Sequence, residues 1–79
     1  MKLQEVTEVG FYRSVENNNV LYEYGKTSDG FQVFVWVFDE ETNLYNTDGS
    51  VFDLKDMPNV EVEKQNKTYE YRMCLKEVN

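Results

Sequence analysis

Eight consecutive residues, Phe31-Gln32-Val33-Phe34-Val35-Trp36-Val37-Phe38, form the only long apolar run in the chain. β-Branched and aromatic side chains fill a pleated surface well, so the run predicts a strand. Side chains on a strand alternate between faces. One face carries Phe31, Val33, Val35 and Val37, slim and mostly branched; the other carries Gln32, Phe34, Trp36 and Phe38, broad and aromatic. A strand half in water has no use for a second apolar stripe. Either the strand is central and covered on both sides, or one stripe is a contact surface.

The flanking sequence predicts more strands. Val9 to Glu16 alternates, and Gly10 suits a bulge or close backbone approach. Asn17-Asn18-Asn19 reads as a tight turn, because asparagine tolerates positive φ. Val20 to Tyr24 is the returning strand, and Ser28-Asp29-Gly30 before the apolar run is a hairpin signal. A charged turn, Asp39 to Asn43, follows. Thr47-Asp48-Gly49 between Leu44-Tyr45-Asn46 and Ser50-Val51-Phe52-Asp53 reads as a second Asp-Gly hairpin. Asp53 to Met57 suits one 3-10 turn capped by Asp53, which Pro58 ends by forcing Met57 out of the helical region.

Val60 to Glu63 is a short strand. Gln65-Asn66-Lys67 turns it into a last one, Thr68 to Lys76, with Tyr69, Tyr71, Met73 and Leu75 inward and Cys74 outward between Arg72 and Lys76. Leu3 to Val9 suits either one helical turn or an extended entry. No ten-residue window combines apolar residues at i, i+3, i+4 and i+7 with a helix cap. The expectation is an all-β fold: a small antiparallel meander of five to six strands curled into an open barrel, with at most one 3-10 turn near Asp53-Met57.

Seventy-nine residues suit one domain, residues 1–79, with a thin core. One tryptophan, six tyrosines and five phenylalanines supply large buried areas in place of a covalent staple. The one cysteine, Cys74, has no internal partner, and without histidine no zinc-ligand spacing exists. Neither a cofactor nor a metal is expected. The opening Met1-Lys2-Leu3-Gln4-Glu5 lacks the apolar core of a signal peptide, and no run approaches the ~18 apolar residues of a membrane span. With a lone thiol, this points to a cytoplasmic protein.

The charge is segregated. Residues 39–63 hold Asp39, Glu40, Glu41, Asp48, Asp53, Asp56, Glu61 and Glu63 against Lys55 alone, a net −7. The other fifty-four residues carry seven acids and seven bases. Such a field repels nucleic acid and anionic membranes and steers basic partners. It equally serves to keep a small aromatic-rich domain in solution.

Chemistry finds little purchase. Proton transfer near neutral pH without histidine needs a tuned carboxylate, a lysine or the thiol. Arg72 and Lys76 would share a strand face with Cys74, but no histidine stands by to activate the thiol. The Asp48-Gly49 region is not an EF-hand, because the position five before the glycine is Leu44. Asp39-Glu40-Glu41 cannot converge on one ion. The chain reads as a non-enzyme.

The aromatic stripe admits three readings. In the first, Phe34, Trp36 and Phe38 pack in the core against Tyr22, Tyr24, Tyr69 and Tyr71. In the second, they form an exposed patch that pairs two copies or seats a partner. In the third, Phe34, Trp36, Phe38 and Tyr22 form a contact surface for a nucleotide-like or aromatic small molecule.

Gly10-Phe11-Tyr12-Arg13, then a hairpin, a hydrophobic strand, Tyr45-Asn46-Thr47-Asp48-Gly49 and Asp53-Leu54, is an order that resembles small accessory proteins encoded by tailed bacteriophages. The resemblance covers residues 10–55 and departs at the first turn, where Asn17-Asn18-Asn19 replaces an Asp-Gly. It implies an acidic protein, cytoplasmic in a bacterial host, that binds and blocks a host protein, with carboxylates presented as a duplex presents phosphates. It carries over no catalytic residue.

The leading expectation is therefore an inhibitor or anti-defence protein that blocks a basic site, such as that of a nucleic-acid-binding protein, without touching nucleic acid or membrane itself. Its contact residues are Asp39, Glu40, Glu41, Asp48, Asp53 and Asp56. The alternatives are a β-barrel that binds or sequesters a small ligand and a structural homodimer.

Overall fold

The computed structural model describes residues 1–66, 71 and 74–77. Seven strands, β1 (Gly10–Ser14), β2 (Val20–Thr27), β3 (Gly30–Asp39), β4 (Leu44–Thr47), β5 (Val51–Phe52), β6 (Val62–Gln65) and β7 (Leu75–Glu77), join in one sheet. Two 3-10 turns, Leu3–Glu5 and Leu54–Asp56, are the complete helical elements among the described residues. The fold is all-β, as expected, with one strand and one turn more than anticipated.

The strand order is β6-β1-β2-β3-β4-β7, with β5 also on β3. The long apolar run is central, paired along its whole length with β2 from Val20↔Val37 to Thr27↔Gly30. Its hairpin closes around Ser28 and Asp29. Gly30 supplies φ +119° there, which side-chain-bearing residues rarely adopt, and Thr27 Oγ1 accepts the Asp29 amide at 3.2 Å. The asparagine turn uses side chains in place of positive φ. Ser14 Oγ accepts the Asn17 amide and Asn17 Oδ1 accepts the Asn19 amide, each at 3.1 Å. Asn43, with φ 59°, is the non-glycine residue with positive φ among those described.

Three expectations are corrected. The first is the meander. β1 to β4 alternate antiparallel, but β6 returns beside β1 while β7 lies parallel to β4 at the opposite edge. β6 and β7 stand at opposite ends of the sheet, so their connection is a crossover and not a tight turn; Lys67, the last residue of the expected turn, lies outside the described residues. The sheet stays open, with β6 and β7 at its two ends. The second is the last strand. Leu75–Glu77 is extended, whereas Tyr71 and Cys74 have helical backbone; Thr68, Tyr69, Glu70, Arg72 and Met73 lie outside the described residues.

The third is the second Asp-Gly hairpin. β4 and β5 do not pair with each other; both lie along the same edge of β3. Val37 pairs with Asn46 and Phe34 with Val51. Between those pairs β3 has only Val35 and Trp36, while the facing chain has Thr47, Asp48, Gly49 and Ser50. Two extra residues therefore bulge out of one interrupted strand. The dipeptide is a turn-former, but a chain already docked on a long strand continues along it.

Each face of the sheet carries a core built by the chain itself, although Phe31, Val37 and Phe52 on the branched face stay exposed. On the branched face Val33, Tyr12, Tyr22 and Val62 are buried with Leu3, Val6 and Met57, which the two 3-10 turns bring in. On the aromatic face Phe11, Leu21, Trp36 and Tyr45 are buried, with Tyr71, Cys74 and Leu75 packed against them. Trp36 is 3% exposed. Burying such a side chain contributes about 1.5–3 kcal/mol, which a chain of this size needs from each of its large residues. Tyr22 and Tyr24 are not partners of the ring stripe: the pairs Tyr22↔Val35 and Tyr24↔Val33 set them on the branched face. Cys74 turns inward because helical backbone breaks the alternation that would have pointed it out.

Candidate functional site

On the branched face, at the β4–β5 side of the central strand, lies a groove of about 460 Å³. Val35 and Val37 of β3, Phe52 of β5, Met57 and Pro58 provide its apolar surface; Asn46, Thr47, Asp48 and Asp56 complete the lining. The local sequence explains each wall. Phe52 pairs with Val33 and so shares the face of the valine stripe. Leu54–Asp56 winds one turn with Asp53 at its N-cap, although the Asp53 carboxylate makes no capping bond. Met57 is extended (φ −80°, ψ 148°) ahead of Pro58, as expected, and its side chain enters the core.

The groove's floor is partly open to water. Val37 is 49% and Phe52 40% exposed, high for large apolar residues facing a sheet. Its charged lining groups are both acids, Asp48 and Asp56. Asp48 sits in the bulge, where its Oδ1 accepts the Ser50 amide at 2.8 Å and Thr47 Oγ1 accepts the Gly49 amide at 3.3 Å. The Ser50 bond favours the ionised carboxylate and holds the Asp48 pKa below its ordinary value. The Ser50 bond thus ties the Asp48 carboxylate to the bulge at the groove's rim.

The six acids expected to contact a partner are distributed unevenly. Asp48 and Asp56 meet at the groove. Asp39 is tied to it: Asp39 Oδ2 accepts from Asn46 Nδ2 at 3.4 Å, while Oδ1 accepts the Glu41 amide at 2.9 Å. Asp39 therefore braces the turn, whose remaining acids Glu40 and Glu41 are exposed. Asp53 is exposed at the start of the second 3-10 turn. Among the described residues no three carboxylates or thiols are arranged to hold a metal ion. No helix among them is long and apolar enough to cross a membrane.

The aromatic set expected as a contact surface is split by the sheet. Trp36 is buried and donates from Nε1 to Glu23 Oε1 at 3.2 Å. Phe38 packs edge-on against Tyr45 at 5.3 Å, and Phe34 lies over Gly25, where a Cβ would come within 3.3 Å of its ring. Tyr22 is buried on the opposite face. Alternation on β2 was legible in the sequence, but its register against β3 was not. Of the groove lining, sequence reasoning singled out Asp48 and Asp56 and missed the rest, including the apolar floor from Val35 to Pro58.

Elsewhere, Arg13 Nη2 donates to the Tyr71 hydroxyl at 2.6 Å, and that hydroxyl donates to Gln65 Oε1 at 2.8 Å. Tyr12 donates to the Glu8 carbonyl at 2.7 Å. Burial raises the pKa of Tyr12, Tyr22 and Tyr45. These contacts fasten the two faces and lie apart from the groove lining.

No protein family, no curated protein and no solved structure matches the chain.

Proposed function

We propose that this is a non-enzymatic binding protein whose acidic segment, residues 39–63, occupies a basic site on another protein. The observation that carries the reading is the groove: an apolar floor left half open, walled by the one segment that holds the chain's net charge, with only carboxylates as its charged lining. Apolar area supplies affinity, and a single-sign rim supplies steering and partner choice. The resemblance to phage accessory proteins gives the reading a specific form, in which the partner is a bacterial protein that the contact inhibits.

A stacking platform for a small aromatic molecule has less support, because Trp36 is covered and Tyr22 lies on the other face. Pairing of two copies through the aromatic stripe loses its motive, since Tyr71 and Cys74 already pack on that stripe.

The test is capture of partners from bacterial lysate by the immobilised chain, followed by mass spectrometry and repeated with Asp48→Asn/Asp56→Asn. A partner retained at low salt, released near ~0.3 M salt where the screening length falls to about 6 Å, and weakened by the double variant supports the reading. Retention indifferent to both salt and the variant sinks it.

A further inference from the structure

We propose that the groove is a subsite for a short extended segment of the partner, one that presents a large apolar side chain beside a lysine or arginine. This rests on the binding reading above and names the chemistry that the site takes. Four features of the groove point to it. Its volume, about 460 Å³, holds a few side chains and no folded element. Its floor, Val35, Val37, Phe52, Met57 and Pro58, offers no polar side chain, so the group that enters must be apolar. Its charged lining groups, Asp48 and Asp56, are of one sign, so the neighbouring group must be cationic.

The fourth is the bulge. β4 and β5 lie on the same edge of β3 in registers that differ by the two residues inserted there. The bulge leaves Asp48 and Gly49 unpaired beside Val35 and Trp36, with both residues exposed at the groove's edge. Bulges that interrupt pairing and re-aim a side chain recur beside binding sites. Here the bulge sets Asp48 in the groove lining, with its Oδ1 fastened to the Ser50 amide at 2.8 Å.

Other occupants fit less well. A second copy of the chain seated in the same groove would bring Asp48 and Asp56 against their own counterparts in a two-fold contact, where like charges repel. A neutral small molecule is best held in an enclosing cavity, and this floor is open at Val37 and Phe52.

Titration of the isotope-labelled full chain with three capped tetrapeptides, followed by amide chemical shifts, tests the proposal. The probes are Leu-Lys-Leu-Lys, Ser-Lys-Ser-Lys and Leu-Glu-Leu-Glu. The expected result is saturable shifts at Val35, Val37, Asn46, Asp48, Phe52 and Met57 with Leu-Lys-Leu-Lys, at least about tenfold weaker binding of the other two, and a similar loss in Val37→Thr. Val37 is half exposed and threonine keeps its branched shape, so this variant folds; deleting Asp48 and Gly49 provides a second variant with the same expected loss. Equal binding of both lysine peptides, with shifts confined to Asp39–Glu41, overturns the subsite while leaving the charge-based reading intact. Shifts from no peptide, or tightest binding by Leu-Glu-Leu-Glu, overturn the subsite as well; the lysate partner's salt dependence then judges the broader reading separately.

Discussion

Deleting Asp48 and Gly49 together is expected to leave the protein folded and slightly more stable. β4 keeps its pairs Val37↔Asn46, Phe38↔Tyr45 and Asp39↔Leu44, and β5 keeps Phe34↔Val51 and Val33↔Phe52. With two residues gone, Thr47 falls opposite Trp36 and Ser50 opposite Val35, so one register runs through. Removal of an even number preserves which side chains face which core. The change removes the cost of ordering two exposed residues, about 1 kcal/mol each at the low end of the usual range. It adds two cross-strand pairs at ~0.2–1 kcal/mol each. Against this stand the lost bonds from the Ser50 amide to Asp48 and from the Gly49 amide to Thr47, ~0.5–1.5 kcal/mol each. The balance is a gain of about 1 kcal/mol, or 4–8 °C in Tm, roughly, for a domain of this size. Thermal and urea unfolding followed by Trp36 fluorescence measures it. A loss of more than about 1 kcal/mol would refute the register argument, because the bulge would then be holding the sheet together.

Three further outcomes follow from the same structure. Leu21→Ala, at a fully buried position against Phe11, Trp36 and Tyr45, destabilises by about 2–5 kcal/mol in urea titration, a large share of the roughly 4–12 kcal/mol a chain of this length possesses. Gly30→Ala forces a side chain into φ +119° and lowers stability by about 1–3 kcal/mol, although a Cβ there meets no neighbour within 4 Å. Burial raises the Tyr12, Tyr22 and Tyr45 pKa values above the ordinary 10.0, so the neutral phenols favour the fold. That stability is complete below the unfolded value and is lost as pH rises through the higher folded values. Ultraviolet titration of phenolate absorbance should therefore begin near the ordinary value in strong urea and extend well above it in the native state.

The sequence carried the fold's centre and missed its edges for physical reasons. Local alternation and β-branched content identify Phe31 to Phe38, and two-residue turn chemistry locates the Ser28-Asp29 hairpin, because those signals act between neighbours in the chain. Where the last strand docks depends on which sheet edge remains open after β6 has taken the edge beside β1, and nothing within residues 66–76 encodes that choice locally. The same holds for Asp48-Gly49. Its composition favours a hairpin, yet the long strand β3 offers pairing to both arms, and tertiary pairing overrides the local preference. The acidic segment was legible as a block. Its division into groove acids (Asp48, Asp56), a brace (Asp39) and outlying charges (Glu40, Glu41, Asp53) required the register.

If the acidic-rimmed apolar groove is what engages a basic partner, the affinity of the captured partner must depend jointly on the two groove carboxylates and on salt. With wild type and Asp48→Asn/Asp56→Asn compared by calorimetry at ~0.05 M and ~0.3 M salt, wild type should bind at least about tenfold more tightly at the lower salt. The variant should be weaker there and approach wild type at the higher salt, where screening has removed most of what the two carboxylates contribute. Affinities equal for both proteins and unchanged by salt would mean that the groove carboxylates play no part in binding.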